Sequence, residues 1–403
     1  SVNLDVAYLF NRNRGESLYN EESSYTSDRM VHSSESVRNS LFATKLLVQN
    51  KIFGGTLSIG AECTNTYRNN LYNNKEGYVS SSYSEIKESN VAPFSEFSHK
   101  LPWGMFVAGI RYEHIVFDYS EEKFRNTKMT KYYDNFFPSF SATIQIGDAS
   151  FRLGYTMKTN RPTYRQLSAN VAYINRFLLQ SGNSMLKNEM TNNVFLGCKW
   201  ESFNITVDYN ETRDAIFFWV EPEDCNTSVS RITYTNIPKL KVLTTSFMTS
   251  HRINIWTSQL MIAANKQWLW LDIMGKRKSF NTPIIQLYFN NTIKLSKSLS
   301  VITNISIMTK GNSKNMFYEQ NSYLVDIYLT KMLLKDRLFL QIKGSDLFYS
   351  NTHSPTLNAA NVRMCQKNKY DSREFSVLLR YKINTIQNKY KGTRAGMYEK
   401  GRL

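Results

Sequence analysis

Apolar residues recur at every second position through segment after segment of this 403-residue chain. In "FNITVDYN", Phe203, Ile205, Val207 and Tyr209 fall on one side, and Asn204, Thr206, Asp208 and Asn210 on the other. "FRLGYTMK" sets Phe151, Leu153, Tyr155 and Met157 against Arg152, Gly154, Thr156 and Lys158. "EFSVLLRYKI" repeats the split near the end of the chain. A period of two is that of a strand with one greasy and one wet face, and a chain made of such strands has to shield one face of a very large sheet. Helical periodicity is nowhere comparable.

A soluble sandwich also alternates, so the connections have to discriminate. The alternating segments read as about 16 strands with connections that are long and short in turn. Short ones fall at 147–149, 296–298 and 335–337; long ones at 13–36, 67–83, 160–189 and 350–372. Tight turns at one end and long loops at the other describe an antiparallel transmembrane β-barrel of the outer membrane. Mean hydropathy is −0.43. The longest wholly apolar run, Ala215 to Val220, is far short of the roughly 20 residues of a spanning helix. A spanning strand needs only about 9 to 11 residues, apolar on alternate ones, so low hydropathy excludes spanning helices and leaves the barrel open. Trp103 lies at a short turn and Trp219, Trp268 and Trp270 toward the long-loop end, as interfacial girdles require.

The formal charge is +17, from 50 Lys and Arg against 33 Asp and Glu. These charges are spread through the alternating segments, and no zinc finger, helix-turn-helix or RNP-like sequence accompanies them, so nucleic acid is not expected as a partner. A phosphorylated lipid surface suits the same excess. Cys63, Cys198, Cys225 and Cys365 lack CxxC spacing and read as isolated thiols, with a disulfide as the alternative. His32, His99, His114, His251 and His353 show no ligand spacing and no serine-centred motif, so neither a metal, a cofactor nor an enzymatic site is expected.

The stretch from Phe136 to Gly197 carries a longer pattern. Phe137 and Pro138 precede a strand; Arg161, Pro162, Tyr164 and Leu167 follow the next; Gly182, Asn183, Leu186, Lys187 and Glu189 lead into another. This resembles the barrel of TonB-dependent outer-membrane transporters, in the branch called the outer membrane protein β-barrel family. Ser184 and Asn188 stand where that pattern has prolines. "YNETRDAI", "LTKMLLKDRLFLQIKGSDLF" and the ending from Arg380 are similar to later segments of the family.

The resemblance implies an integral outer-membrane protein of a Gram-negative cell that takes up a scarce, bulky nutrient: a siderophore, vitamin, glycan or peptide. It also implies an N-terminal plug, the TonB complex, surrounding lipid and lipopolysaccharide, and a surface lipoprotein as partners. The family barrel has about 22 strands around a plug. Residues 1–384 are therefore expected to form its C-terminal portion, with 385–403 a polar basic tail. A complete passive porin of about 16 strands is the rival reading.

Alternation turns Arg111, Glu113, Arg152, Lys158, Asp208, Asp326, Lys343, Arg380 and Lys382 toward the lumen, where a watery or plug-filled interior tolerates charge. Loop 160–189 offers candidates for solute contact. Arg161 and Arg165 could pair with carboxylate or phosphate, and Tyr164 and Tyr173 could stack on rings. Pro162 favours the competing view, that the motif is a hinge turning the chain inward at the rim.

Overall fold

The computed structural model of the chain describes residues 1–403 apart from 123–126, 224–225, 360 and 384–394. Its main sheet has 18 strands. Two short ones, Val171–Asn175 and Leu178–Ser181, belong to a loop, and the other sixteen form one antiparallel meander. In order these are Val2–Glu21, Arg29–Ile52, Gly55–Asn74, Ser82–Leu101, Gly104–Glu122, Lys128–Ile146, Ala149–Asn160 and Glu189–Trp200. Phe203–Glu223, Asn226–Ile253, Trp256–Trp268, Ile284–Lys294, Leu299–Met308, Ser322–Leu333, Leu338–Ser345 and Glu374–Tyr381 complete the wall. Among the described residues no ladder joins the first strand to the last.

The turns at one end are tight: 53–54, 102–103, 147–148, 201–202, 254–255, 295–298 and 334–337. At the other end, two connections expected to be long are short. The 13–36 segment is mostly strand, leaving only 22–28 between ladders, and 67–83 contracts to 75–81. Polar Asn, Ser and Arg in these stretches imitate a loop in the sequence. Here they lie in ladders of 20 paired positions that reach well past the roughly 10 residues a bilayer needs.

Directly paired residues share a face of the sheet, so register transmits the inside from strand to strand. Glu113 pairs with Asn135. Ser139, on the same face, pairs with Thr156, then Thr156 with Asn193, Asn193 with Asn210, Asn210 with Val242 and Val242 with Gln267. The opposite face carries Phe42, Leu46, Ile110, Phe136, Phe140, Leu153, Leu196 and Ile205, all well exposed, as a lipid-facing band requires. Trp200 and Trp256 sit on that outer face at the tight-turn end, where an aromatic girdle belongs.

Candidate functional site: a luminal charge cluster

Past Asn160 the chain leaves the wall and folds inward. Thr163 caps the single turn Tyr164–Leu167, and Gln166 completes a reciprocal capping box. Tyr164, Leu167, Ala169 and Leu186 bury against the luminal Ile86, Phe117 and Tyr119 of the wall. The second half of the motif fixes the return. A side chain at Gly182 would strike the Ser168 and Gln166 carbonyls at 2.3 and 2.5 Å. Asn183 donates to the Tyr234 carbonyl, and Glu189 accepts from the Ile216 N–H and the Asn160 amide. These residues fix where the chain leaves the wall and where it returns.

The hinge meets a second segment inside the barrel. Residues 395–403, the end of the segment expected as a polar basic tail, include the short helix Met397–Arg402 and meet the luminal face through Gly396, Glu399 and Arg402. The Gly396 N–H donates to Glu62 at 3.1 Å. Arg402 reaches both oxygens of Glu88 and donates to the Pro162 carbonyl, with its guanidinium 4.4 Å from the Tyr164 ring centre. Arg68 donates to the Leu403 main-chain oxygen at 3.4 Å.

Arg161 is the hub. Its guanidinium bonds Glu88 at 3.0 Å, Glu113 at 2.9 Å and Glu399 at 3.3 Å, and its own N–H donates to the Tyr398 hydroxyl at 2.6 Å. Arg111 joins from the wall through Glu113 and Glu62. Three guanidinium groups, of Arg111, Arg161 and Arg402, thus face four carboxylates, of Glu62, Glu88, Glu113 and Glu399. Burial acts against charge on Arg161 and Arg402, but the carboxylates, with Tyr164 also beside Arg402, outweigh it and hold both above the usual arginine value. Burial, then the nearby Glu88 charge, raises the Tyr164 phenol. Such a cluster locks two segments of chain to the wall.

Of the loop candidates, Arg161 and Tyr164 are buried in this internal cluster, 4% and 0% exposed. Arg165 is exposed and lines a small cleft with Glu35 and Tyr72, and Tyr173 packs near the Tyr19 and Tyr78 rings. Register puts Arg111, Glu113, Arg152, Lys158, Asp208, Asp326, Lys343 and Arg380 on the luminal face, with Lys382 continuing that parity just past the last strand. Glu88 and the contact that 395–403 makes with it have no sign in the sequence: "SEIKESN" is one polar strand face among many, and nothing local says that a distant arginine will cover it. Among the described residues no group of His, Cys, Asp and Glu is arranged to hold a metal. Cys63, Cys198 and Cys365 are free thiols, whereas Cys225 lies outside the described residues.

An antiparallel meander with a greasy outside, a charged inside and tight turns gathered at one end defines an outer-membrane β-barrel. The chain belongs to the outer membrane protein beta-barrel family, whose model matches residues 1–381, and it is accordingly an integral outer-membrane protein. No curated protein sequence matches the chain at a significant level. Among solved structures it is similar to the copper transporter OprC, at 11% identity and a TM-score of 0.70 over 94% of this chain and 62% of that one. It is also similar to the ferric yersiniabactin uptake receptor FyuA from Yersinia pestis, at 13% identity and a TM-score of 0.62 over 94% and 58%. The ferric-catecholate import receptor Fiu from K12 E. coli follows, at 14% identity and 0.57 over 94% and 61%. The family and the barrel fold expected from the sequence are thus both found. The chain spans about three fifths of each of these structures.

Proposed function

We propose that the chain is the outer-membrane barrel of a TonB-dependent receptor for active uptake of a bulky, scarce nutrient such as a siderophore, vitamin, glycan or peptide. The observation that carries this reading is the pair of edge strands. Val2, Leu4, Val6, Tyr8 and Phe10 on one edge, and Phe375, Val377 and Leu379 on the other, continue the lipid-facing apolar band right up to backbone that has no partner among the described residues. An unpaired strand edge is not tolerated in hydrocarbon, so further strands would complete a ring larger than sixteen. A plug inside it and TonB below it are what the family resemblance adds, and the luminal charges are the surface a plug or solute would meet. Lipopolysaccharide would surround the barrel, and a surface lipoprotein could cover its loops.

Sixteen wall strands are also a porin's number, so the test separates the two. Whole cells carrying the full-length protein are given a panel of labelled siderophores, cobalamins, glycans and peptides, with and without a protonophore. Uptake of one class that stops with the protonophore or with loss of TonB supports the receptor. Uptake of small solutes only, indifferent to both, establishes the porin.

A further inference from the structure

On the outer face of three neighbouring strands the apolar band gives way to charge at one level. Phe203, Ile205, Val207 and Tyr209 are followed by Glu211 and Arg213; Phe247 and Leu243 by Lys241 and Lys239; Leu260 and Ile262 by Lys266 and Trp268. Register sets Glu211, Lys241 and Trp268 side by side, all opposite in parity to the luminal Asn210, Val242 and Gln267. Counted from the tight turn at 201–202, this level lies about nine residues up, where a strand of about 9 to 11 residues leaves the hydrocarbon.

A cavity of about 740 Å³ opens there, bordered by Tyr209, Lys239, Lys241, Trp268, Trp270 and Arg277. The hairpin Trp270–Ile273 with Lys276–Ser279 brings Trp270, Asp272 and Arg277 to its border and is anchored through Leu271, Ile273 and Phe280, which bury with Phe217 and Leu240. Lys239 and Lys241 share a single carboxylate, Glu211, at 2.9 and 3.9 Å, and Asp272 is the acidic residue on the cavity border. Arg213, Lys276 and Lys278 add positive charge nearby. Cations with tryptophans, directly above an apolar stripe, match a headgroup that is anionic at the level where its acyl chains begin.

We propose that this cavity holds the phosphorylated headgroup of an outer-leaflet lipid. The phosphate sits on Lys239, Lys241 and Arg277, the headgroup lies against Trp268 and Trp270, and an acyl chain runs down Tyr209, Leu243 and Ile262. The site rests on the barrel's place in the membrane and is independent of what the barrel transports.

The full-length protein, purified in detergent, is examined by native mass spectrometry with a diphosphorylated glycolipid and with the same lipid dephosphorylated. Retention of the phosphorylated form alone is the expected result. Lys239→Gln with Lys241→Gln should weaken retention about twenty-five-fold, since each lysine near an anionic surface contributes about fivefold. Luminal Arg152→Gln, which removes charge from the other face, should leave it unchanged. Each variant is first checked for the heat-modifiable migration of a folded barrel. Equal retention of the dephosphorylated lipid, or by the folded double-lysine variant, overturns the proposal. Displacement of the lipid by millimolar inorganic phosphate also overturns it, because the site would then be one for a soluble anion.

Discussion

The Arg402 guanidinium and the Glu88 carboxylate, 314 residues apart in the chain, meet inside the barrel through two bonds of 2.5 and 3.0 Å. Both side chains are almost wholly buried, so each is the other's substitute for water. Removing one partner of a buried pair costs about 3–5 kcal/mol because the survivor is left uncompensated. Glu88→Gln should therefore release residues 395–403, while the ladders of the wall persist. Hydrogen exchange of the peptide spanning 396–403 should quicken in the variant, with no change in the tight turns. Unchanged exchange would mean that the segment is held by something other than this pair.

Arg161 serves three carboxylates from one planar group, which an ammonium cannot imitate. Arg161→Lys should accordingly lose nearly as much as Arg161→Gln, about 2 kcal/mol or more at the scale of charged hydrogen bonds. Urea unfolding of the protein in lipid vesicles measures the difference. A lysine variant as stable as the parent would show that charge alone, and not the fork, matters here.

The two faces of one strand should respond oppositely to charge. Val207 faces lipid and Asp208 faces the lumen. Val207→Arg should cost about 2–4 kcal/mol if it lies near the bilayer midplane, whereas Asp208→Asn should be nearly neutral. Folding yield into vesicles compares them directly.

Asp346 closes the loop beyond the Leu338–Ser345 strand, outside the membrane-spanning part. Burial works against its charge, but bonds from the Ser372 hydroxyl and the Ser350 and Asn351 N–H groups, with Arg373 nearby, hold its carboxyl below the usual range. A carboxyl lowered in the folded state contributes stability that is fully present above its ordinary value near pH 4 and is lost as pH falls through the lowered one. Protection of the Ser350 and Asn351 amides, taken against the intrinsic exchange rate at each pH, should thus hold down to about pH 4 and fall only below it. In Asp346→Asn that protection should be low throughout, with no acid step.

Much of the wall was legible because a sheet with lipid on one side and water on the other writes its geometry in a two-residue period. The greasy set of Phe203, Ile205, Val207 and Tyr209 is on the outer face as alternation requires. Strand ends were less legible. Above the membrane both faces are wet, so a polar ladder such as Arg38 opposite Asn69 reads as a loop. The motif around Pro162 marked the hinge, since capping by Thr163 and the bare Cα of Gly182 are local requirements. The charge cluster was half visible. Arg161 stood out for its neighbours, but its partners come from strands 48 and 73 residues earlier and a helix 238 residues later, and only the folded barrel brings them together.

The chain is expected to span the outer membrane with its tight turns in the periplasm and the opposite connections at the cell surface. Thiol labelling of intact cells tests that directly, using a protein whose own four cysteines are serine. One cysteine is placed at Tyr25, in the 22–28 connection, or at Asp148, in the 147–148 turn; both positions are exposed. An impermeant maleimide should modify the first in intact cells, and the second only after the outer membrane is opened. Labelling of Asp148→Cys in intact cells with Tyr25→Cys protected, or equal labelling of both in a soluble fraction, would contradict the account.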